Sequence, residues 1–470
     1  MTITRQRLER VFGLSAETAD ESARRSKQEF FRSQDHLAPA REGATGRRMT
    51  AWEALQYFGF EKLEEAFEFG SAIIASKAEE PADTLRKRRE LLALERRDVA
   101  RTAKVSERDI EIAEDPKHTS SIKLLERIAQ TLALDESRIS TQAESYDEPL
   151  AIRLRQIRTT RAEFTPKVVL AFNEAAWVTR KQSQLSEWLD GDWNFRKMGF
   201  ETDSRYGDRT YPAWRFGYEL AHDTRRLLGI DAGAPIESLR DVVETTLRIP
   251  LVHLSLPSQF AGATIGVGNT RGIALNTAGL NTNVWVRRST LAHELGHLLW
   301  DPDQKLESLR VDTYSDLEEQ PEKIGLDPVE ARANAFAIEL LAPQEHALEL
   351  FRSYTDQQTG LRMVMERFGI SFISARYQIW NASQRTDELE KLSVKSVDPT
   401  DDWKGRESFT DDFFRPESVR SSRRGQFAFF VVKAIKRGLL TVNSGASFLG
   451  CTEDELSANL DLIESIFRKS

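Results

Sequence analysis

Hydrophobic positions recur at helical spacing over most of the 470 residues, and at strand spacing in one stretch. From Thr50 to Lys77 (TAWEALQYFGFEKLEEAFEFGSAIIASK) the repeat predicts helix, and residues 1–80 are expected to be a helical region ending at the short connector AEEP. Residues 83–135 divide into four or five short helices. Leu85, Leu92 and Leu94 mark the first, Val99 and Ala100 the second, and Ser106 is placed to cap the third, from which Ile110 faces inward. A longer amphipathic helix is expected over Ser121–Leu134. Residues 136–212 are read as a helical connection carrying Trp177, Trp188 and Trp193, aromatic bulk suited to a core or a seam between domains.

After Ala213 the period changes. A helix ending at Gly229 and a second near Ile236–Thr246 precede three strand-like runs, Ile249–Leu256, Gly262–Val267 and Arg271–Asn276. Gly266, Gly268 and Asn269 suit a turn joining the last two as a hairpin. A helix is expected again from near Ser289, and helices follow Pro343 to about Gln384. The polar run 385–412 reads as a linker, and 413–470 as a small helical domain around FAFFVVKAIKRGLL.

Composition narrows the chemistry. Charged residues make up 30% and mean hydropathy is −0.48, as in water-soluble chains. No apolar run reaches the ~20 residues of a membrane span, and the first residues lack the apolar stretch of a signal peptide. A cytoplasmic chain with no membrane partner is expected. A single cysteine, Cys451, excludes an intramolecular disulfide and a cysteine-rich metal site. Any metal must therefore be held by His and carboxylates. The net charge of −8 gives no overall attraction to nucleic acid.

Such a site is legible in Leu291–Trp300, LAHELGHLLW. His293 and His297 are four apart, so on a helix they lie over one another and can share one ion. Glu294 stands where it can act as a general base toward water, the step such an ion makes feasible near neutral pH. HExxH arises by chance in roughly 1 in 100 chains of this size, so its surroundings carry the argument. A catalytic ion takes three protein ligands and keeps one position open. The best third candidate is Glu330 in PVEARANAFAIELLAP, a helix-forming run beginning at Pro328. Asn334, four residues on, could accept the second ring N–H of a ligand histidine. The strand Gly272–Asn276 (Gly272, Ile273, Ala274, Leu275, Asn276) is expected to offer a sheet edge to an extended peptide. Tyr314 and His346 are candidates for stabilising an oxyanion. Zinc suits the two-His, one-Glu set best, and manganese is accepted by the same donors.

From about Ala213 to Gln384 the chain resembles the ImmA/IrrE-type metallopeptidases, whose zinc site is similar to that of thermolysin. The residues that carry the resemblance are the LLG helix end, GIALN, LAHELGHLLW, the run Glu330, Ala333, Asn334, Phe336, Ala337, Leu340, Leu341 and Pro343, and RFGISFISARYQIW. It implies metal ligands His293, His297 and Glu330, a catalytic base at Glu294, and a repressor-like protein as substrate. Cleavage would then control genes, as in stress or mobile-element responses.

Residues 83–135 resemble the Cro/repressor-type (XRE) helix-turn-helix. Twelve Lys/Arg against eleven Asp/Glu leave this segment almost neutral, and SERDIEIAED is acidic where a DNA reader is basic. DNA is therefore the weaker expectation and protein contact, including a second copy of the chain, the stronger. Arg86, Lys87, Arg88 and Arg89 are the candidate contacts in either case, and Ser421–Gly425 (SSRRG) reads as a solvated basic turn. The expected fold class is multidomain and mainly α. An all-α helix-turn-helix domain (83–135) is followed by an α+β zincin-like (thermolysin-like) peptidase domain (213–384) and a small helical C-terminal region. The alternative function is a non-catalytic DNA- or protein-binding regulator that uses the peptidase-like unit as a sensor or scaffold.

Overall fold

A computed structural model describes residues 3–41, 45–141, 164–189, 211–267, 270–301, 310–313, 328–384 and 397–467. The chain forms two compact units, residues 1–193 with 414–470, and residues 194–413. The segments 1–80, 83–135 and 414–470 lie within the first of these units. Among the described residues no helix is long and apolar enough to cross a membrane.

The first unit opens with helices α1 (Arg5–Phe12) and α2 (Ala19–Arg25). Strands β1 (Glu29–Arg32), β2 (His36–Pro39) and β3 (Arg47–Thr50) follow, then α3 (Ala51–Phe69) and β4 (Ala72–Ile73). The strands form an antiparallel sheet in the order β3-β1-β2-β4. This corrects the all-helical reading of residues 1–80. Strands of two to four residues are too short to show a period, and their pairing is long-range. Phe30, Leu37 and Met49 point from the sheet into the core, where Phe30 meets Phe67 of α3 edge-on at 5.6 Å.

Helices α4 (Ala82–Leu91), α5 (Arg96–Ala103), α6 (Glu107–Ala113) and α7 (Ile122–Thr131) occupy the expected segment. Ser106 caps α6 by accepting the Asp109 N–H, while Asp109 returns a bond to the Ser106 N–H. The basic cluster is largely spent within the fold. Arg88 is buried and donates to the Leu132 carbonyl; Arg86 pairs with Asp83; Arg89 is bound to buried Glu114 at 2.5 Å. Arg88 is therefore no surface contact, contrary to the sequence reading, and only Lys87 stands mostly in solvent.

Helix α8 (Pro166–Trp188) brings Trp177 into the core against Phe427 and Phe448. The basic turn Ser421–Gly425 is also corrected: Arg423 is buried and forks onto Glu174 at 2.6 and 3.0 Å. Trp193 lies outside the described residues.

In the second unit, α9 (Ala213–Leu227) is followed by a short helical turn, Leu239–Asp241, that widens into a π-type turn, Val242–Thr246. Strands β5 (Leu251–Leu254), β6 (Phe260–Val267) and β7 (Thr270–Asn276) come next. Then follow α10 (Val284–Trp300), β8 (Arg310–Thr313) and α11 (Pro328–Leu341). The helices α12 (Gln344–Arg352), α13 (Gln357–Phe368), α14 (Phe372–Ala382), α15 (Asp401–Arg406) and α16 (Thr410–Phe413) complete it.

The sheet order is β5-β7-β6-β8, with β5 and β7 parallel and the other pairs antiparallel. The expected hairpin is the β6–β7 pair, though its turn residues 268–269 lie outside the described residues. β7 has a partner on each side, so Gly272, Ile273, Ala274, Leu275 and Asn276 are not the expected sheet edge. Their burial is nearly complete. Asn276 has a structural task instead: its side chain accepts from the N–H groups of Leu256 and Ala278 and donates to the carbonyls of Pro257 and Phe260.

Helix α10 is capped by Asn283, which accepts the Trp285 N–H, and is buried on nearly every face, its Arg287, Arg288, His293, Glu294 and His297 included. Two glycines let helices approach it and its neighbour. A Cβ on Gly296 would lie 2.6 Å from the Phe336 ring, and one on Gly217 would run into the backbone carbonyl of Arg332. Residues 397–412, expected as linker, are partly folded onto this unit. Trp403 of this run is buried, Phe409 packs edge-on against His253, and Glu407 accepts the N–H groups of Leu239 and Arg240. A polar run with two isolated aromatic anchors has no hydrophobic period to reveal it.

Candidate metal centre

Two helices and one strand bring the chemistry together. One turn of α10 puts the His293 and His297 rings face to edge, with their Nε2 atoms 3.0 Å apart. From the first turn of α11, Glu330 presents Oε2 at 3.3 Å from His293 Nε2 and 3.5 Å from His297 Nε2. Donors at about 2.1 Å around a tetrahedral ion lie about 3.4 Å from one another, so these three atoms fit a single divalent cation.

The far sides of both rings are fixed. His293 Nδ1–H donates to Asn334 Oδ1 at 2.8 Å, and His297 Nδ1–H donates to Asp301 Oδ2 at 3.1 Å. Each bond leaves the lone pair on Nε2, facing the shared point. Asp301 is held in turn by Arg332 of α11. Asn334→Ala is expected to weaken zinc affinity by about 10–100-fold with little change in fold, as read by competition with a chromogenic chelator. Unchanged affinity would remove Asn334 from the site.

Glu294 points to the sheet. It is fully buried, accepts the Thr264 hydroxyl at 2.8 Å, and occupies the space left by Gly262, where a Cβ would lie 2.7 Å from Glu294 Oε1. Asp312 of β8 completes the group. Its Oδ2 is 3.6 Å from His293 Nε2, and the ligand atoms of His293, His297, Asp312 and Glu330 all lie within 4.8 Å of one another. Among the described residues no hydrogen-bond donor reaches Asp312 Oδ2 or Glu294 Oε1, although both are buried.

Burial pushes the Glu294 carboxyl well above the usual range, and the Asp312 charge adds to it. Burial also disfavours a proton on His293, but Asp312 and Glu330 reverse this and raise it to about 10. Glu330 is itself desolvated, yet its bonds to His293 and His297 hold it far below the usual carboxylate range. Two imidazole nitrogens and two carboxylates converging within 4.8 Å form a donor set suited to a divalent cation.

Residues 270–379 match the family model of the IrrE N-terminal-like domain, Peptidase_M78. The match covers under a quarter of the chain, running from β7 into α14, and takes in α10, β8 and α11 and so every residue of the cluster. No curated protein matches the chain. The match supports a metallopeptidase of the M78 kind.

Of the residues expected from sequence, the structure brings together His293, Glu294, His297, Glu330 and Asn334. Gly272–Asn276 lie in the adjacent sheet interior. His346 packs beside Gly233, and among the described residues no hydrogen bond ties it to the cluster; Tyr314 lies outside the described residues. Sequence reasoning missed Asp301, Asp312, Thr264 and Gly262. Asp301 could have been found, since it stands four residues after His297 on the same helical face. Asp312 and the β6 residues join the site only through strand pairing, which no local spacing announces.

Proposed function

We propose that residues 213–384 act as a zinc-dependent metallo-endopeptidase that cleaves a specific protein, with a repressor-like protein as the first candidate. The observation that carries this reading is the spacing of His293, His297 and Glu330, three donors at 3.0–3.5 Å with both histidine rings oriented from behind. A divalent ion held there would supply Lewis-acid chemistry, activating water and polarising a peptide carbonyl.

The chain's own groups supply the rest. Glu294 takes the proton of the attacking water and passes it to the leaving amine. Its burial suits this work, because a desolvated carboxylate binds a proton more readily near neutral pH. Thr264 holds one carboxylate oxygen, and the other lies beside Gly262 with no hydrogen-bond donor among the described residues. Asn334 and Asp301 keep the imidazoles aligned, with both Nε2 atoms directed at the shared point. If the substrate is a repressor, its cleavage releases the genes it holds down.

The test is incubation of the zinc-loaded full chain with repressor-like proteins encoded beside its gene. Cleavage at a discrete bond is expected, abolished by a chelator and restored by zinc or manganese. Cleavage that survives chelation would contradict the reading.

A further inference from the structure

The fourth carboxylate has a placement that the peptidase reading does not use. β8 runs antiparallel along β6, with Asp312 opposite Gly262, Val311 opposite Ala263 and Arg310 opposite Thr264. Paired residues share a face, so Asp312 stands on the face where Gly262 and Thr264 meet Glu294. An extended peptide entering this site would pair with a free sheet edge. The edge of β6, the strand in contact with Glu294, is already covered by the chain's own β8. In the same place, the Asp312 carboxylate reaches the donor cluster, its Oδ2 buried, without a hydrogen-bond donor among the described residues, and 3.6 Å from His293 Nε2.

We infer that β8 is an internal mimic of a substrate strand, and that Asp312 is a fourth ligand closing the position that a peptide or water would otherwise use. The inference rests on the metal-centre reading above. A three-ligand site is open and catalytic, whereas a four-ligand site is closed. The isolated chain thus rests in a blocked form, and a protein that pairs with β6 in place of β8 opens it. Strand exchange of this kind needs no change in the two helices that carry His293, His297 and Glu330.

The experiment uses the full chain loaded with Co2+, whose visible absorption reports its ligands, and acetohydroxamate as a small chelating probe of the open position. Asp312→Asn keeps the side-chain volume, and Asp312→Ala serves as a second variant; far-UV circular dichroism checks the fold of each. Both variants are expected to change the Co2+ spectrum and to bind acetohydroxamate at least about tenfold more tightly than the parent chain, which must first displace Asp312. Identical spectra and equal probe affinity in parent and variants would overturn the inference. His293→Ala separates the two claims. Loss of Co2+ binding in that variant, with Asp312 variants indistinguishable from the parent, leaves the metal centre standing and removes only the fourth ligand. Co2+ binding unaffected by His293→Ala overturns both.

Discussion

Replacing Glu294 with Gln is expected to slow peptide cleavage by roughly 10²–10⁴-fold while the ion and the fold remain in place. Gln matches Glu in shape, so it fills the gap left by Gly262 and still accepts the Thr264 hydroxyl through its amide oxygen. What it cannot do is accept a proton. The buried carboxyl already stands well above its usual range, because burial and the Asp312 charge both oppose ionisation. Exchanging it for a neutral group therefore adds no strain that would unfold the site. Cleavage rate and metal content measured on the same preparation decide the matter. A variant that binds the ion and cleaves as fast as the parent would show that Glu294 is not the base.

The second large effect concerns what holds helix α10 in place. Glu407 is buried and forms an ion pair with Arg288 of α10, which is also buried. Arg288 donates further to the carbonyls of Ile236 and Gly369 at 2.7 and 3.0 Å, with its guanidinium 4.4 Å from the Trp403 ring centroid. Glu407→Ala would leave the Arg288 cation buried without its counter-charge and would strip the N–H groups of Leu239 and Arg240 of their acceptor. Breaking such a pair from one side costs about 3–5 kcal/mol. In a unit of this size that corresponds to a fall of roughly 6–20 °C in the midpoint of its thermal transition. Calorimetry of the full chain, which separates transitions of the two units, provides the check. A shift below about 2 °C would mean that the pair contributes little.

These effects also mark where the sequence was legible. The His293/His297 pair and the Glu330/Asn334 pair each follow from four-residue spacing on a helix, a local rule that tertiary packing did not override. Their meeting was an expectation, and the structure places Glu330 Oε2 within 3.5 Å of both rings. The sheet was harder. Residues 270–276 were legible as a strand, but whether that strand is central or an edge depends on β5, which pairs with β7 on the side away from β6. The substrate role given to Gly272–Asn276 failed for that reason. Asp312, on a strand of four residues, carries no local signal at all. Residues 29–50 were hidden by the same shortness, and Glu407 by a polar segment whose aromatic anchors, Trp403 and Phe409, make no period.

The proposed chemistry requires that His293, His297 and Glu330 hold a divalent ion. Elemental analysis of the purified full chain, alongside the His293→Ala/His297→Ala variant, tests it most directly. The account predicts about one zinc or manganese per parent chain and none in the variant. A parent chain without an ion after incubation with zinc, or a variant that retains it, would contradict the account.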